Sequence, residues 1–181
     1  MGPPGVGKGT QANILKDNFN IPHLSTGEIL RNEIKVNSDI GKISKNYIDD
    51  GLFVPDNILI KIIERYITNN NSSKGYILDG YPRNMLQVED LKKLLSKINQ
   101  SIDFAISLRA EKKEVIKRLI KRSEDSGRSD DTLKIISKRQ DVYWEQTAPI
   151  IQYYNKLGIL KEVNGLGSIE EITNRIMKAI K

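Results

Sequence analysis

The chain has 181 residues, 38% hydrophobic and 29% charged, a balance that excludes a disordered tail, a collagen-like repeat and a membrane-embedded protein. Its 29 Lys plus Arg against 23 Asp plus Glu give a net charge of +6, which permits a nucleic acid or a phosphate ester as partner equally well. Without cysteine, long apolar runs or a signal-peptide core, we expect one cytoplasmic domain over residues 1–181, with no membrane partner and no thiolate chemistry.

The chain opens on a glycine-rich segment. Residues 2–10, GPPGVGKGT, fit the phosphate-loop spacing G-x-x-x-x-G-K. Glycines permit a tight turn whose backbone N–H groups point inward, at the N-terminus of a helix. Lys8 would add a charge for the outer phosphates, and Thr10 would offer a hydroxyl near a metal ion, one residue later than usual. The alternative is a flexible glycine-proline terminus.

A phosphate loop follows a buried strand, yet only Met1 precedes this one. A typical strand needs about five or six residues. We therefore expect either that the start has been placed too late or that the chain lacks a central strand of its own sheet.

Further along, apolar residues recur at helical spacing in 29–34, 58–67, 91–98, 115–120 and 169–180, and a helical stretch covers 131–157. The short runs 75–79, 104–108 and 160–164 are predicted strands, the first two covered on both faces. Strands alternating with helices predict an α/β fold with a parallel sheet flanked by helices. The polar segments 69–73 and 123–127 are predicted surface loops.

A series of motifs then stands in the order found in adenylate kinases, over essentially the whole chain. They are residues 2–10, LSTG at 24–27 with Arg31, DGLFVPD at 50–56, LDGYPR at 78–83 with Gln87, Arg118 with Arg122, GRSDD at 127–131 with Arg139, and TAPIIQYY at 147–154. The chain therefore resembles a short-lid adenylate kinase without its first strand. The resemblance implies the three-layer P-loop nucleoside monophosphate kinase fold, a helical NMP-binding segment at about 25–54 and a short lid at about 122–132.

The arginines make chemical sense by themselves. Transfer between two nucleotides gathers about six negative charges in a cleft that excludes water. Arginine suits this task because its planar, forked donors stay charged. Arg118 and Arg122, four residues apart on a helical stretch, face the same way, although they could equally form a solvated basic face.

The resemblance implies a donor site for ATP. Its residues would be Gly5, Val6, Gly7, Lys8, Gly9, Thr10, Arg118, Arg122 and the backbone of Gly167. Asp79 would orient the waters of a bound Mg²⁺, because an ionised carboxylate at the end of a buried strand needs a partner. Alternatively, Asp79 would cap a helix or a turn before Gly80.

The resemblance also implies an acceptor site for AMP. Arg31 and Arg83 would hold its phosphate, and Thr26 and Gln87 would address the adenine. Leu52, Phe53, Val54, Gly80, Tyr81 and Pro82 would complete the site, with Arg128 and Arg139 closing over the phosphates. The catalytic cations would then be Lys8, Arg83, Arg118, Arg122, Arg128 and Arg139.

The lid is predicted to be a loop, because only residues 123–127 separate Arg122 from Arg128. Long-lid relatives insert a small domain there, often around zinc. So short a segment without cysteine cannot do so, and we expect no structural zinc. Asp130 and Asp131 would be either N-caps of the next helix or part of the lid hinge.

These residues predict reversible phosphoryl transfer from MgATP to AMP, giving two ADP without a covalent intermediate, by a monomer. One alternative is a UMP/CMP kinase, but such relatives usually carry Ala in place of Thr26 and lack the glutamine at Gln87. A second is a truncated nucleotide-binding protein with little activity, motivated by the absent strand. A nucleic-acid-binding module has only the net charge in its support, and we expect no nucleic-acid partner.

Overall fold

A computed structural model describes residues 1–69, 74–126 and 129–181. Its helices are α1 (Lys8–Phe19), α2 (Thr26–Lys35), α3 (Asp39–Asp49), α4 (Asp56–Asn69), α5 (Met85–Lys97), α6 (Lys112–Ser126), α7 (Leu133–Val142), α8 (Ala148–Lys156) and α9 (Ile169–Ala179). Its strands are β1 (His23–Ser25), β2 (Ile77–Asp79), β3 (Ala105–Arg109) and β4 (Leu160–Asn164). The predicted alternation of strands and helices is therefore present, with β1 and α3 as elements that the sequence pattern did not reveal.

The described strands form two parallel pairs. β1 lies beside β2, with Leu24 opposite Leu78, and β3 lies beside β4, with Leu108 opposite Val163. Parallel pairing agrees with the prediction, but the expected single sheet is divided. A cavity of about 700 Å³ lies between β2 and β3. Met1 extends along β3 there, where its carbonyl accepts from Leu108 N at 3.0 Å and its amine donates to Ile106 O.

Helices cover both faces of β3. Successive side chains of a strand point to opposite faces, so Ala105 and Leu108 face different layers. Leu108 packs in a core cluster with residues of α1, α6 and α9. Ala105 packs in another with residues of α5 and α8. This arrangement gives the three layers that the resemblance implies.

The helical stretch predicted over 131–157 is broken in its middle. α7 ends at Val142, a π-helical turn spans Tyr143–Thr147, and α8 then begins with Pro149 in its first turn. Proline has no N–H to donate to the preceding turn, which interrupts the α-helical ladder. The break places Thr147 next to the loop that carries Arg83, whose carbonyl accepts from the Thr147 hydroxyl at 2.8 Å.

The prediction of a surface loop over 123–127 is wrong for residues 123–126. These residues form the last turn of α6, which ends at Ser126. Extending an existing helix costs little, and the Ser123 hydroxyl donates to Ile120 O at 2.6 Å within the helix. Residues 127 and 128 lie outside the described residues, as do 70–73 of the other predicted loop. The next residues, which were predicted to belong to the lid, form a short 3₁₀ turn, Ser129–Asp131.

Two properties of the described residues bear on the expected membrane and metal partners. Within 1–69, 74–126 and 129–181, no helix is long and apolar enough to cross a membrane. The same part of the chain contains no group of three or more His, Cys, Asp or Glu side chains able to hold a metal ion. The expectation that the protein has no structural zinc stays a prediction.

Candidate active site

The glycine-rich segment forms a closed turn at the start of α1. Gly5 and Gly7 have φ of 87° and 98°, in the left-handed region that glycine tolerates. A Cβ on Gly5 would lie 2.6 Å from Val115 O, so a larger residue would not fit there. Lys8 Nζ donates to the carbonyl oxygens of Gly2 and Pro3 at 2.7 and 3.0 Å. The turn thereby presents the N-terminus of α1, with its partial positive charge, to the space above it.

That space is a cleft of about 780 Å³. It brings together the predicted residues of both nucleotide sites, with two exceptions. The predicted residues lining it are Gly5, Val6, Gly7, Lys8, Gly9, Thr10, Thr26, Arg31, Leu52, Phe53, Val54, Asp79, Gly80, Tyr81, Pro82, Arg83, Arg118, Arg122, Arg139 and Gly167. Gln87 is buried outside the lining, and Arg128 lies outside the described residues.

Arg118 and Arg122 both line the cleft, so their interpretation as a solvated basic face was wrong. Their side chains are only 29% and 32% exposed. Arg118 is held from two sides: its Nε donates to Glu114 Oε1 and its Nη1 to Gly165 O, each at 3.0 Å. The four-residue spacing predicted that Arg118 and Arg122 lie on the same face of α6. Packing against the 165–167 segment turns that face toward the cleft.

Arg83 is fixed through its backbone and its side chain. Its N–H donates to Gln87 Oε1 at 2.7 Å, and its Nε donates to Gly80 O at 2.6 Å. The guanidinium carbon lies 5.0 Å from the centre of the Phe53 ring, a cation–π contact. Burial, followed by the charge of Arg139, lowers the pKa of Arg83 to about 10, so it stays charged near neutral pH.

Lys8 shares this positive environment. Burial lowers its pKa to about 8, Asp79 acts in the opposite direction, and the charges of Arg83, Arg139 and Arg122 lower it further. For Asp79, burial opposes ionisation, but the neighbouring His23 and Lys8 outweigh it and hold the pKa of the carboxyl below its ordinary value. Asp79 is therefore ionised at neutral pH, and its negative charge favours the charged form of Lys8.

Asp79 and Thr10 fit a magnesium ion. The Asp79 carboxylate ends β2 and stands over the start of α1, where its Oδ2 would lie 3.5 Å from a Cβ on Gly9. Asp79 does not cap α5, because Asn84 does. Mg²⁺ binds through one or two protein oxygens together with phosphates and keeps several waters. An ionised carboxylate and an exposed hydroxyl on the same cleft match that donor set.

The two residues predicted to address adenine make other contacts here. The Thr26 hydroxyl donates to Gly80 O at 2.9 Å, and the residue is 1% exposed. Gln87 is fully buried, and its Nε2 donates to Asp56 Oδ1 at 2.6 Å. Both residues thus shape the backbone of the cleft in this structure, and their contact with adenine stays a prediction.

Sequence reasoning missed Asp56 as a site residue. Its carboxylate accepts from Gln87 and from Asn84 Nδ2, at 3.1 and 3.2 Å for the latter. It joins the start of α4 to the start of α5, and so joins the wall 52–54 to the loop that carries Arg83. Asp56 is part of the DGLFVPD motif, but the motif does not reveal its partners, which are 28 and 31 residues away in the sequence.

His23, the first residue of β1, lies beside the site. Its Nε2 is 3.7 Å from Asp79 Oδ2, and its Nδ1 is 2.9 Å from Asn13 Oδ1. Pairing of β1 with β2 puts these residues together, which the sequence separation concealed.

The acidic pair before α7 was expected either to cap that helix or to belong to the lid hinge. Thr132 caps α7 instead, its hydroxyl accepting from Ile135 N at 3.4 Å. Asp130 and Asp131 are buried and pair with Arg122 and Arg139. The capping interpretation is therefore wrong.

Comparison with known proteins agrees with this geometry. The family model described as adenylate kinase matches residues 1–159. The chain is 44% identical over 180 residues to an adenylate kinase of Leptospira biflexa, an alignment covering 99% of this chain and 97% of the relative. The chain belongs to the adenylate kinase family.

Other relatives support the same assignment over the full length. An adenylate kinase of Stenotrophomonas maltophilia is 42% identical over 181 residues, covering 100% of this chain and 97% of the relative. One of Parabacteroides distasonis is 41% identical over 180 residues, covering 99% and 95%. The resemblance and the α/β nucleoside monophosphate kinase fold predicted from the sequence are confirmed. These adenylate kinase relatives do not favour the UMP/CMP kinase alternative.

Proposed function

We propose that this cleft catalyses the reversible transfer of the terminal phosphoryl group of MgATP to AMP, giving two ADP. The observation that carries the proposal is the convergence of Lys8 and five of the predicted arginines on one cleft beside the phosphate loop; these arginines are Arg31, Arg83, Arg118, Arg122 and Arg139. Membership of the adenylate kinase family supports it. We further propose that the enzyme acts as a cytoplasmic monomer.

On the donor side, the N-terminus of α1 and the Gly5–Thr10 backbone would hold the β- and γ-phosphates of ATP. Lys8, Arg118 and Arg122 would neutralise their charge, and the Gly167 backbone would contact the base. Asp79, with Thr10 beside it, would hold Mg²⁺ through water. That ion would neutralise part of the negative charge of the phosphates.

On the acceptor side, Arg31 and Arg83 would hold the AMP phosphate. Residues 52–54 and 80–83 line this part of the cleft, and Thr26 and Gln87 would support it through their hydrogen bonds to the 80–83 loop. Arg139, with Arg128, would approach the transferred group from the lid side. Because Arg83 is bonded at Gly80 and Gln87, little reorganisation would be needed when the phosphate arrives.

The transfer would occur in one step. An AMP phosphate oxygen forms the new bond to the γ-phosphorus while the bond from that phosphorus to the β–γ bridging oxygen breaks, and ADP leaves with the electron pair. No side chain needs to become phosphorylated. The protein lowers the barrier by holding the two phosphates in line and by placing cations where charge spreads over the transferred group.

The test is a steady-state assay with ATP and, in turn, AMP, CMP or UMP as acceptor. We expect AMP to give the highest kcat/KM, and faster turnover with CMP or UMP would contradict the proposal. Arg83→Gln should lower kcat/KM for AMP by at least about 100-fold, since one well-placed transition-state contact contributes on that order. Arg65→Gln, which removes an exposed arginine of α4, is the matched control and should change it less than about twofold.

A further inference from the structure

We propose that Gln140 is a positioning residue for ATP binding, acting through the phosphate loop. Its side-chain amide holds the Pro4 carbonyl and thereby sets the direction of the Gly5 N–H group, which belongs to the same peptide unit. This inference rests on the proposed function of the cleft. It adds to the donor site a residue of α7 that lies outside the glycine-rich motif.

Gln140 is a buried polar residue on the core face of α7. It is 1% exposed, as is Ile136, which lies one helical turn earlier on the same face. A buried amide without a hydrogen bond would be costly. Gln140 Nε2 avoids this cost by donating to Pro4 O at 3.0 Å, across 136 residues of sequence. The side chain of Gln140 is therefore committed to the phosphate loop.

The start of the phosphate loop depends on its carbonyl groups for hydrogen bonding. Pro3 and Pro4 are consecutive prolines, and proline has no backbone N–H to donate. The carbonyls of Gly2 and Pro3 accept from Lys8 Nζ, a group of the same loop. The Pro4 carbonyl accepts instead from Gln140, which belongs to another element. Gln140 thus fixes the position of the loop relative to α7.

The Pro4–Gly5 peptide unit carries this contact to the nucleotide site. A trans peptide unit is planar, and its C=O and N–H groups point in opposite directions. A Pro4 carbonyl held toward α7 therefore directs Gly5 N–H away from α7. Gly5 lines the cleft, and as a glycine it would otherwise allow many orientations of this peptide unit. The bond from Gln140 reduces the freedom that the loop would lose when it binds a phosphate.

α7 is a suitable anchor because it also contributes to the cleft. Arg139, the residue before Gln140, lines the cleft. Successive residues of a helix are about 100° apart around its axis, so the two side chains leave α7 in different directions. One reaches the cleft and the other reaches the phosphate loop. The contact therefore holds the donor loop against the helix that supplies a lid-side cation.

An effect on the loop is distinguishable from a general loss of stability. Loosening the loop weakens the binding of ATP phosphates, because their backbone donors are no longer fixed in advance. The residues proposed to hold AMP belong to other elements, such as α2 with Arg31. The expected signature is a rise in the Kd for ATP with a nearly unchanged KM for AMP.

The first experiment compares Gln140→Met with wild type by calorimetric binding of ATP and of inorganic tripolyphosphate, and by steady-state kinetics. Methionine has a similar length but no N–H to donate. We expect the Kd for both ligands to rise at least about fivefold, and KM for AMP to change less than about twofold. Ile136→Val, on the same buried face, is the matched control. It should lower Tm but change the Kd for ATP less than about twofold.

A second experiment observes the loop directly, by nitrogen-15 relaxation of the nucleotide-free proteins. The N–H order parameter of Gly5 should be lower in Gln140→Met than in wild type, and unchanged in Ile136→Val. Equal order parameters for Gly5 in all three proteins would overturn the inference. So would an unchanged Kd for ATP in Gln140→Met, or a KM for AMP that rises as much as the Kd for ATP.

Thermal unfolding of each variant shows whether it is folded at the assay temperature. If Gln140→Met is not, Gln140→Asn takes its place, because its amide is one methylene too short to reach Pro4 O, and the same outcomes apply. Wild-type protein that forms no ADP, but whose ATP affinity depends on Gln140, would refute the proposed function and support the loop contact. An active wild type whose ATP affinity does not depend on Gln140 would refute the inference alone.

Discussion

At the scale of single residues, Lys8 is the most informative group. It lies within the turn of the phosphate loop, bonded to Gly2 and Pro3, and burial brings its pKa to about 8. A phosphate beside it would favour the charged form and raise that pKa. Binding would therefore be accompanied by proton uptake near pH 8. The charge state of Lys8 can then be followed through the pH dependence of ATP affinity.

The sign of the effect follows from linkage. When binding raises the pKa of a group, the protonated group contributes fully to the binding free energy at pH values below its pKa in the free protein. This contribution decreases as the pH rises above that pKa. With a free pKa of about 8, affinity for ATP should fall between about fivefold and tenfold from pH 7.5 to pH 9. Calorimetry in buffers of different ionisation enthalpy would measure both affinity and proton uptake.

Lys8→Arg serves as the control, because arginine does not titrate in this range. Its ATP affinity should be nearly constant from pH 7.5 to pH 9, whatever its absolute value. A fall as steep as that of wild type would show that another group titrates on binding.

At the scale of elements, the contact between α2 and α3 supports the part of the cleft that we propose as the acceptor site. α2 carries Arg31, and α3 leads into the wall 52–54. The two helices approach closely at Gly41, where a Cβ would lie 2.1 Å from Glu33 O and 2.7 Å from Ile34 N. These are backbone atoms, which cannot move without shifting a helix. Gly41 is thus required by packing between helices.

Gly41→Ala should accordingly lower the free energy of unfolding by about 2–3 kcal/mol, the usual cost of overpacking. It should also raise KM for AMP more than KM for ATP, because the displaced helices lie on the acceptor side. Urea unfolding and steady-state kinetics would measure the two effects. Lys42→Ala, at the next position of α3 and exposed, should change stability by less than about 0.5 kcal/mol. Equal stability of both variants would contradict the packing argument.

At the scale of the whole molecule, the net charge of +6 has two components. Nine of the 29 cations are arginines, of which Arg31, Arg83, Arg118, Arg122 and Arg139 line the cleft. Among the lysines, Lys8 lines it too. Charge concentrated in the cleft acts on the phosphates at short range, whereas exposed lysines act through screened solvent. The net charge alone therefore says little about activity.

Neighbouring residues of α6 allow a matched test. Arg118→Gln and Lys117→Gln each remove one positive charge, but Arg118 lines the cleft and Lys117 is exposed. At about 0.15 M salt, where the Debye length is about 8 Å, Arg118→Gln should lower kcat/KM at least about 100-fold and Lys117→Gln less than twofold. Similar losses would mean that the field of the whole molecule governs the reaction.

The sequence by itself determined what depends on contiguous residues. The phosphate loop was predictable because Gly5, Gly7 and Lys8 act within one turn, whose geometry follows from local backbone freedom. β4 was predicted with its observed limits, and the helices were found wherever their apolar spacing was regular. The family also followed from the sequence, since its motifs are short and their order survives without any knowledge of contacts.

Only the tertiary structure decided what depends on residues brought from afar. It divided the strands into two pairs, moved Gln87 out of the cleft lining, and turned the Arg118–Arg122 face inward. It also joined Asp131 to arginines of two different helices. An aspartate before a helix favours a capping role by local pattern, but a buried carboxylate takes the partner that best compensates its charge, and packing alone supplies that partner.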